Sequence, residues 1–311
     1  MDRLEAMSIL VATVETGSFS AAGRRLGMPL PTVSRKVADL EAHLNTQLLV
    51  RSTRKLQLTE AGIAYVAASR RILEQVDEAE SQAAGEYTVP RGTLVMTAPI
   101  VFGRLHVVPV VSEFLANFPQ INVHLTLSDQ TINIVDENVD LAVRVGALPD
   151  SALVATKVGE IRRVVCASPD YLAAHGRPRK PQDLAEHMCV TFTGLASGAT
   201  WLFNARAGGG KTGRPLCRLK INTAESAIDA AIAGVGLTNV LSYQVARPMA
   251  EGRLKVVLED YEPDPVPVHL VHASQALAPL KLRRFMEFAA PRLRKSLAAD
   301  LEKLEASGGD A

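Results

Sequence analysis

Over the first sixty positions, apolar residues recur every three to four places in short blocks, each closed by glycine, proline or asparagine. Leu4, Met7, Ile9, Leu10, Val11 and Val14 write a stripe on a first helix ending near Gly17. Ser18 or Ser20 caps a second, short helix, SAAGRRL, stopped at Gly27, where a glycine suits the left-handed residue that ends a helix. Met28 to Pro31 reads as a turn. Pro31 falls in the first turn of a third helix, where a missing N–H costs nothing, and that helix runs to Leu44 with Val33, Val37, Leu40 and Leu44 inward. LLVRSTRKLQLT then reads as two short strands about a basic turn, Arg51 to Lys55, forming a wing. Thr59 opens a long helix to about Gly85. Its Tyr65, Ala68, Ile72, Val76, Ala79 and Ala83 keep a three-four rhythm, as expected either of a helix that pairs with a second copy or of one packed on its own domain.

Around Val89-Pro90-Arg91-Gly92 this periodicity breaks, and strands then alternate with helices. TLVMTA, a helix from Gly103 to Asn117, INVHLTL, a helix from Thr131 to Glu137 and VDLAVRV make the first set. RRVVCAS, Pro169 to His175, MCVTF, a hairpin from Trp201 to Leu216, CRLKIN, Thr223 to Ala233, VGLTNVL, Ser242 to Glu251 and VHLVHA make the second, before a last helix from Leu280 to about Leu297. The alternation predicts two open parallel sheets with a cleft between them. The expected organisation is an all-α winged helix-turn-helix over residues 1–60, a linker helix over 61–88 and an α/β region over 89–304. Lobe I of that region takes 89–160 and 269–304, and lobe II takes 161–268.

Charge separates these parts more than the net +1 of the 311 residues reveals. From Ser20 to Lys55, Arg24, Arg25, Arg35, Lys36, Arg51, Arg54 and Lys55 oppose only Asp39 and Glu41, for a net +5; from Ala61 to Val89 the balance is −3. A polyanion is therefore met by the N-terminal end. In the helix-turn-helix geometry, residues near the N-terminus of the third helix reach base edges in the major groove. Pro31, Thr32, Ser34 and Arg35 stand there. Arg35 has the planar fork for a guanine edge and equally for a phosphate, and Thr32 either contacts DNA or caps its helix. Ser20, Arg24, Lys36, Arg51, Thr53 and Lys55 flank that end, while Arg54 at the wing tip is placed for a narrow minor groove.

The remaining composition excludes more than it assigns. With 47% hydrophobic and 22% charged residues the chain can bury large aliphatic cores and is not of disordered type. Cys166, Cys189 and Cys217 are odd in number and far apart, offering neither a disulfide framework nor zinc spacing, so they are expected as separate buried thiols. The acids Asp2 and Glu5 at the start do not fit a signal peptide, and no apolar run reaches the roughly 20 residues that span a bilayer, so a cytoplasmic protein without a membrane partner is expected. Gly208 to Thr212 lacks the first glycine of a phosphate loop, Ala205 standing in its place. His269 and His272 point to opposite faces of a strand. No metal, cofactor or catalytic set is expected, and hence no enzyme.

The order helix, helix-turn-helix, wing, long helix and two α/β lobes resembles the LysR-type transcriptional regulators over essentially the whole chain. The stretch from Gly17 to Gly62, GSFSAAGRRLGMPLPTVSRKVADLEAHLNTQLLVRSTRKLQLTEAG, carries most of it; DLAVRVGALPDSALVA and ESAIDAAIAGVGLTNV add to it. The resemblance implies two Rossmann-like lobes of the type 2 periplasmic-binding-protein kind. It implies an effector cleft lined by Ala98, Pro99, Ile100, Ser128, Asp129, Arg144, Thr191, Thr193, Asn222, Thr223 and Thr238, with Arg144 read equally as a structural ion-pair partner. Pro99 and Ile100 stand where relatives often have Ser or Thr, which argues against a carboxylate effector there. Dimers through Tyr65, Ala68, Ile72, Val76 and Ala79, their pairing into tetramers, an interrupted palindromic operator in duplex DNA and a small-molecule effector complete the expectation. The competing class is a small-molecule-binding module with little specific DNA binding, which would give ligand-dependent melting shifts and no operator footprint.

Overall fold

The computed structural model describes residues 1–51, 56–83, 89–130, 132–134, 137, 139–149, 153–192, 201–203, 211–213, 215–273 and 278–308. The chain divides into two compact units, Met1–Val89 and Pro90–Ala311.

In the first unit, local capping sets most of the described helix ends. Asp2 accepts from the backbone N–H groups of Leu4 and Glu5 to start α1 (Arg3–Thr16), and Gly17 ends it at φ 72°. Ser18, not Ser20, caps α2 (Phe19–Leu26) by accepting from Ala21 N–H, and Gly27 closes it at φ 65°. After the turn, α3 (Leu30–Leu44) carries Pro31 in its first turn and ends on a left-handed Asn45. The turn hugs α2: a Cβ on Gly23 would stand 2.7 Å from Met28 O, which only a glycine avoids. Strands β1 (Leu49–Arg51) and β2 (Leu56–Leu58) pair antiparallel as the base of the wing. The Glu41 carboxylate accepts from Leu48 N–H at 2.8 Å and Leu49 N–H at 3.0 Å, fixing β1 to the end of α3. Thr59 accepts from Gly62 N–H at the start of α4 (Glu60–Ala83). Ala6, Ile9, Leu10, Ala22, Val33, Val37, Leu40, Leu48 and Val66 form the core; Leu44 is only half-buried.

The second unit holds two five-stranded sheets. In the first, β3 (Gly92–Ala98) runs parallel to β4 (Ile121–Leu127) and β5 (Leu141–Val145), while β14 (Val266–Ala273) lies antiparallel between β5 and β6 (Leu153–Ile161). In the second, β11 (Leu216–Ile221), β8 (Met188–Phe192) and β12 (Leu237–Leu241) are parallel, and β7 (Arg163–Ala167) is antiparallel to both β12 and β13 (Lys255–Val257). Both sheets are thus mixed where parallel ones were expected, because the returning strands are fed by short links and not by helical crossovers. Strand β6 was not anticipated, and the described residues between 131 and 137 carry no helix. β9 (Trp201–Phe203) and β10 (Lys211–Gly213) make the expected hairpin.

The helices are α5 (Ile100–Phe102), α6 (Val108–Asn117), α7 (Pro169–His175), α8 (Ala224–Ile232), α9 (Ser242–Ala250) and α10 (Leu280–Gly308). A π segment, Gly103–Val107, joins α5 to α6, starting the run three residues before the expected Gly103. Ile100–Asn117 is long and apolar enough to cross a membrane by length and composition. Its Val101, Phe102, Val107, Val110, Val111 and Phe114 are buried in the core, as in the interior helix of a globular domain. α10 outruns its expected end at Leu297 and packs on α9 as well as on β6 and α6, so it bridges both sheets. The chain passes between the sheets at Arg162, whose guanidinium makes a two-pronged pair with Glu262 (2.7 Å on each prong) just before β14. One ion pair therefore ties both crossings together.

Candidate functional site

The N-terminal end of α3 is open. Pro31 and Arg35 are exposed, Thr32 and Ser34 half-buried, and Leu30 is 47% exposed. Arg35 has no ion pair among the described residues, and neither has the exposed Arg24; Ser20 is exposed beside it on α2. Lys36 differs. Its Nζ lies 2.5 Å from the Glu5 carboxylate on α1, half-buried, so the structure turns it toward the domain and away from the face Arg35 presents. A step of one residue rotates a helix position by about 100°, which separates these neighbours. Arg25 is likewise occupied, pairing with Glu15 at 2.7 Å. Arg51 ends β1; Thr53, Arg54 and Lys55 lie outside the described residues.

On α4, Gly62, Val66 and Ser69 face the rest of the unit and are buried. Tyr65 also packs against that core, and burial raises its phenol above the usual range, with Arg3 opposing. Ala68 and Val76 are half-buried, while Ile72 is 37% exposed, Ala79 exposed and Ile63 60% exposed. Of the expected seam, Ile72 and Ala79 are exposed, Ala68 and Val76 half-buried, and Tyr65 is drawn in part into the intradomain core.

The expected effector residues separate into three groups. Ala98 and Thr238 are in the interior: Ala98 is 1% exposed, and Thr238 is wholly buried with its hydroxyl donating to Val190 O at 3.2 Å. Sheet packing, not a cleft, uses them. Asp129 and Arg144 are engaged locally. The Asp129 carboxylate accepts from Ile100 N–H at 3.0 Å, so a side chain of the chain itself sits at the N-terminus of α5. Arg144 donates to the Ile132 carbonyl, and burial lowers its pKa; of the two readings left open for it, the structural one fits, though with a backbone partner in place of an acid. Ser128 accepts from Gln130 N–H, and Thr191 Oγ1 lies 3.1 Å from Cys217 Sγ. The third group stays open: Ile100 and Asn222 are exposed, Pro99 precedes α5, and Thr223 caps α8 by accepting from Ser226 N–H. Thr193 lies outside the described residues.

Residues not anticipated from the sequence connect the two sheets. Arg104, in the π segment, pairs with Glu225 in the first turn of α8. Tyr243, in the first turn of α9, packs edge-on to Phe102 (5.3 Å between ring centroids) and to His106 (5.4 Å). Its phenol is held well above the usual range by burial first, then by the Asp129 carboxylate, with the Gln244 side chain opposing. The signal available in the sequence was faint: lone charged residues on amphipathic helices.

Two family models match this chain: the bacterial regulatory helix-turn-helix protein of the lysR family over residues 4–63, and the LysR substrate binding domain over residues 88–294. The chain belongs to the LysR family. As a LysR-type protein it is a DNA-binding transcriptional regulator with an effector-binding domain, and the reading as a binding module with vestigial DNA contact is not favoured. The HTH-type transcriptional regulator CrgA of Neisseria meningitidis is 33% identical over 294 residues, covering 94% of this chain and 98% of CrgA. The solved CrgA structure covers 98% of this chain and 99% of its own, with a TM-score of 0.54 and 31% identity. AaeR of Escherichia coli, an HTH-type transcriptional activator, is 32% identical over 285 residues, 91% of each chain. The full-length virulence activator AphB of Vibrio cholerae, 26% identical, matches 92% of this chain and 98% of its own at a TM-score of 0.58. Within this LysR-type frame, the α2–α3 pair is the helix-turn-helix, and the two mixed sheets make up the effector-binding domain.

Proposed function

We propose that α3 enters the major groove of duplex DNA, with Pro31, Thr32, Ser34 and Arg35 meeting base edges and Ser20, Arg24 and the wing residues Arg51, Thr53, Arg54 and Lys55 meeting the backbone or minor groove. The single observation that carries this is the contrast on α3: Arg35 is exposed without an ion pair among the described residues, while its neighbour Lys36 is held by Glu5. Exposed Leu30 supplies an apolar contact suited to a thymine methyl group. Two copies joined along Ile72, Val76 and Ala79 of α4 present two such helices to an interrupted palindrome, and pairs of dimers form a tetramer, in the cytoplasm and without catalytic turnover. The effector binds between the two sheets and is neutral or cationic, since Asp129 already occupies the α5 N-terminus that a carboxylate would seek.

The test is fluorescence anisotropy with the DNA upstream of the protein's own gene, against random DNA, across salt. Arg35→Ala is expected to cost about 1–3 kcal/mol on the operator and to relax sequence preference. A uniform loss on both DNAs assigns Arg35 to phosphate, and unchanged binding removes it from the interface.

A further inference from the structure

Far apart along the sequence, two of the three cysteines become neighbours in the fold. Cys189 on β8 and Cys217 on β11 are register partners across a parallel pair. Adjacent strands stand about 4.8 Å apart, inside the roughly 4.4–6.8 Å between Cα atoms that a disulfide requires. Their side chains also share a face. Thr191 follows Cys189 by two residues and so points the same way, and its hydroxyl lies 3.1 Å from Cys217 Sγ. Cys166 does not join them: it sits opposite Thr238, which sits opposite Val190, placing it on the other side of the sheet from Cys189.

Access differs between the two thiols. Cys217 is exposed on the edge strand of its sheet, whereas Cys189 is fully buried. Burial first, then the neighbouring Cys217 thiol, push Cys189 up to about 12, so it stays protonated and is a poor target for a dissolved oxidant.

We propose that Cys217 and Cys189 form a reversible oxidation site for hydroperoxides, closing to a disulfide between β11 and β8. The Cys217 sulfur attacks one oxygen of hydrogen peroxide, the O–O bond breaks, and the departing hydroxide takes the thiol proton and leaves as water; Cys217 becomes the sulfenic acid. The Cys189 sulfur then attacks the Cys217 sulfur, the S–S bond forms as the S–OH bond breaks, and the second hydroxide leaves as water with the Cys189 proton. Two thiols and one peroxide become one disulfide and two waters, the sulfurs oxidised and the peroxide oxygens reduced. A dithiol reductant reverses the bond by exchange. The site is placed to matter to the regulator, because β11 leads through Asn222 to Thr223, the cap of α8, whose Glu225 reaches Arg104 in the π segment beside the first sheet. A bond between β11 and β8 fixes the strand that feeds this contact.

The experiment uses the full-length protein, reduced, cleared of reductant, treated with hydrogen peroxide and mapped by mass spectrometry after digestion without reduction. The expected result is a peptide pair linked through Cys189 and Cys217, lighter by two hydrogens and released by dithiothreitol. It is expected also in Cys166→Ser and absent in Cys217→Ser, where Cys189 remains an unmodified thiol. Melting of Cys217→Ser, a change at an exposed position, is expected to match that of the reduced parent, which separates loss of the bond from loss of the fold. Cys217 found as sulfinic acid with no linked peptide, a linkage joining two chains, a linkage using Cys166, or no oxidation at Cys217 would each overturn the assignment.

Discussion

His106 shows how a single residue couples charge to the stability of the effector domain. It is 3% exposed, its Nδ1 lies 2.9 Å from Ser296 Oγ on α10, and its Nε2 lies 3.4 Å from an Asp300 oxygen without a hydrogen bond among the described residues. Phe102 and Tyr243 enclose the ring. Burial lowers its pKa below the ordinary value of about 6.5, Lys303 adds to this and Asp300 opposes it. The folded protein therefore holds the ring neutral, while the unfolded chain takes up a proton near pH 6.5. Stability is fully present above that pH, falls as the pH drops below it, and levels off once the folded pKa is passed. Thermal melting between about pH 7.5 and 5.5 is expected to fall more steeply for the native protein than for His106→Gln; parallel curves would show that the ring does not titrate in this way. At the same scale, the exposure of Arg35 was legible from its place at the start of α3, but the difference between it and Lys36 was not. That difference depends on Glu5, thirty-one residues away and on another helix, and no local spacing encodes it.

At the scale of elements, the caps were the most legible feature because each is a local hydrogen-bonding requirement: Gly17, Gly27 and Thr59 act where the sequence places them. Strand direction was not legible, since β14 and β7 are antiparallel through pairings distant in sequence. Strand β6 escaped because its burial follows no strict alternation along its nine residues. Two predictions test the element readings. Gly23→Ala drives a methyl group against the Met28 carbonyl, so it is expected to destabilise the N-terminal unit by about 1–3 kcal/mol in chemical denaturation; an unchanged midpoint would mean that the turn yields freely. On α4, the buried face of Gly62, Val66 and Ser69 leaves Ile72 on a different side. Ile72→Glu puts a charge into the proposed pairing seam while sparing the monomer, and light scattering is expected to show a smaller assembly with the melting of the effector domain unaltered. An unchanged mass would move the seam, with Ile63 as the next position to test.

The effector-binding domain as a whole is held by contacts of very unequal strength, and this ordering bears on how it responds. Both chain crossings are fastened by the Arg162–Glu262 pair, which is largely withdrawn from solvent, and α10 lies across both sheets. The Arg104–Glu225 pair spans the same two sheets with both side chains about half exposed, and an exposed pair is worth less than about 1 kcal/mol and weakens with salt. The domain therefore combines a firm tie at the crossings with a weak clasp between the π segment and α8, and of the two the clasp is the one that salt or a single substitution releases. Two lobes were legible from the alternation of strands and helices, whereas the clasp was not, because it needs the fold to bring α8 to the π segment. Glu225→Gln removes the charge and keeps the shape. Backbone amides at the start of α8, from Ala224 to Ala227, are expected to exchange hydrogen faster in this variant by no more than about five-fold, the factor that corresponds to 1 kcal/mol. The same acceleration is expected in the native protein on raising salt to about 1 M, where screening reaches within about 3 Å. Arg162→Ala, by contrast, leaves buried Glu262 without its partner and is expected to loosen β14 and both crossings together. Equal exchange in Glu225→Gln and the native protein at low salt would show that the clasp contributes nothing, leaving the Arg162–Glu262 tie, α10 and the packing of Tyr243 on Phe102 to set the spacing of the lobes.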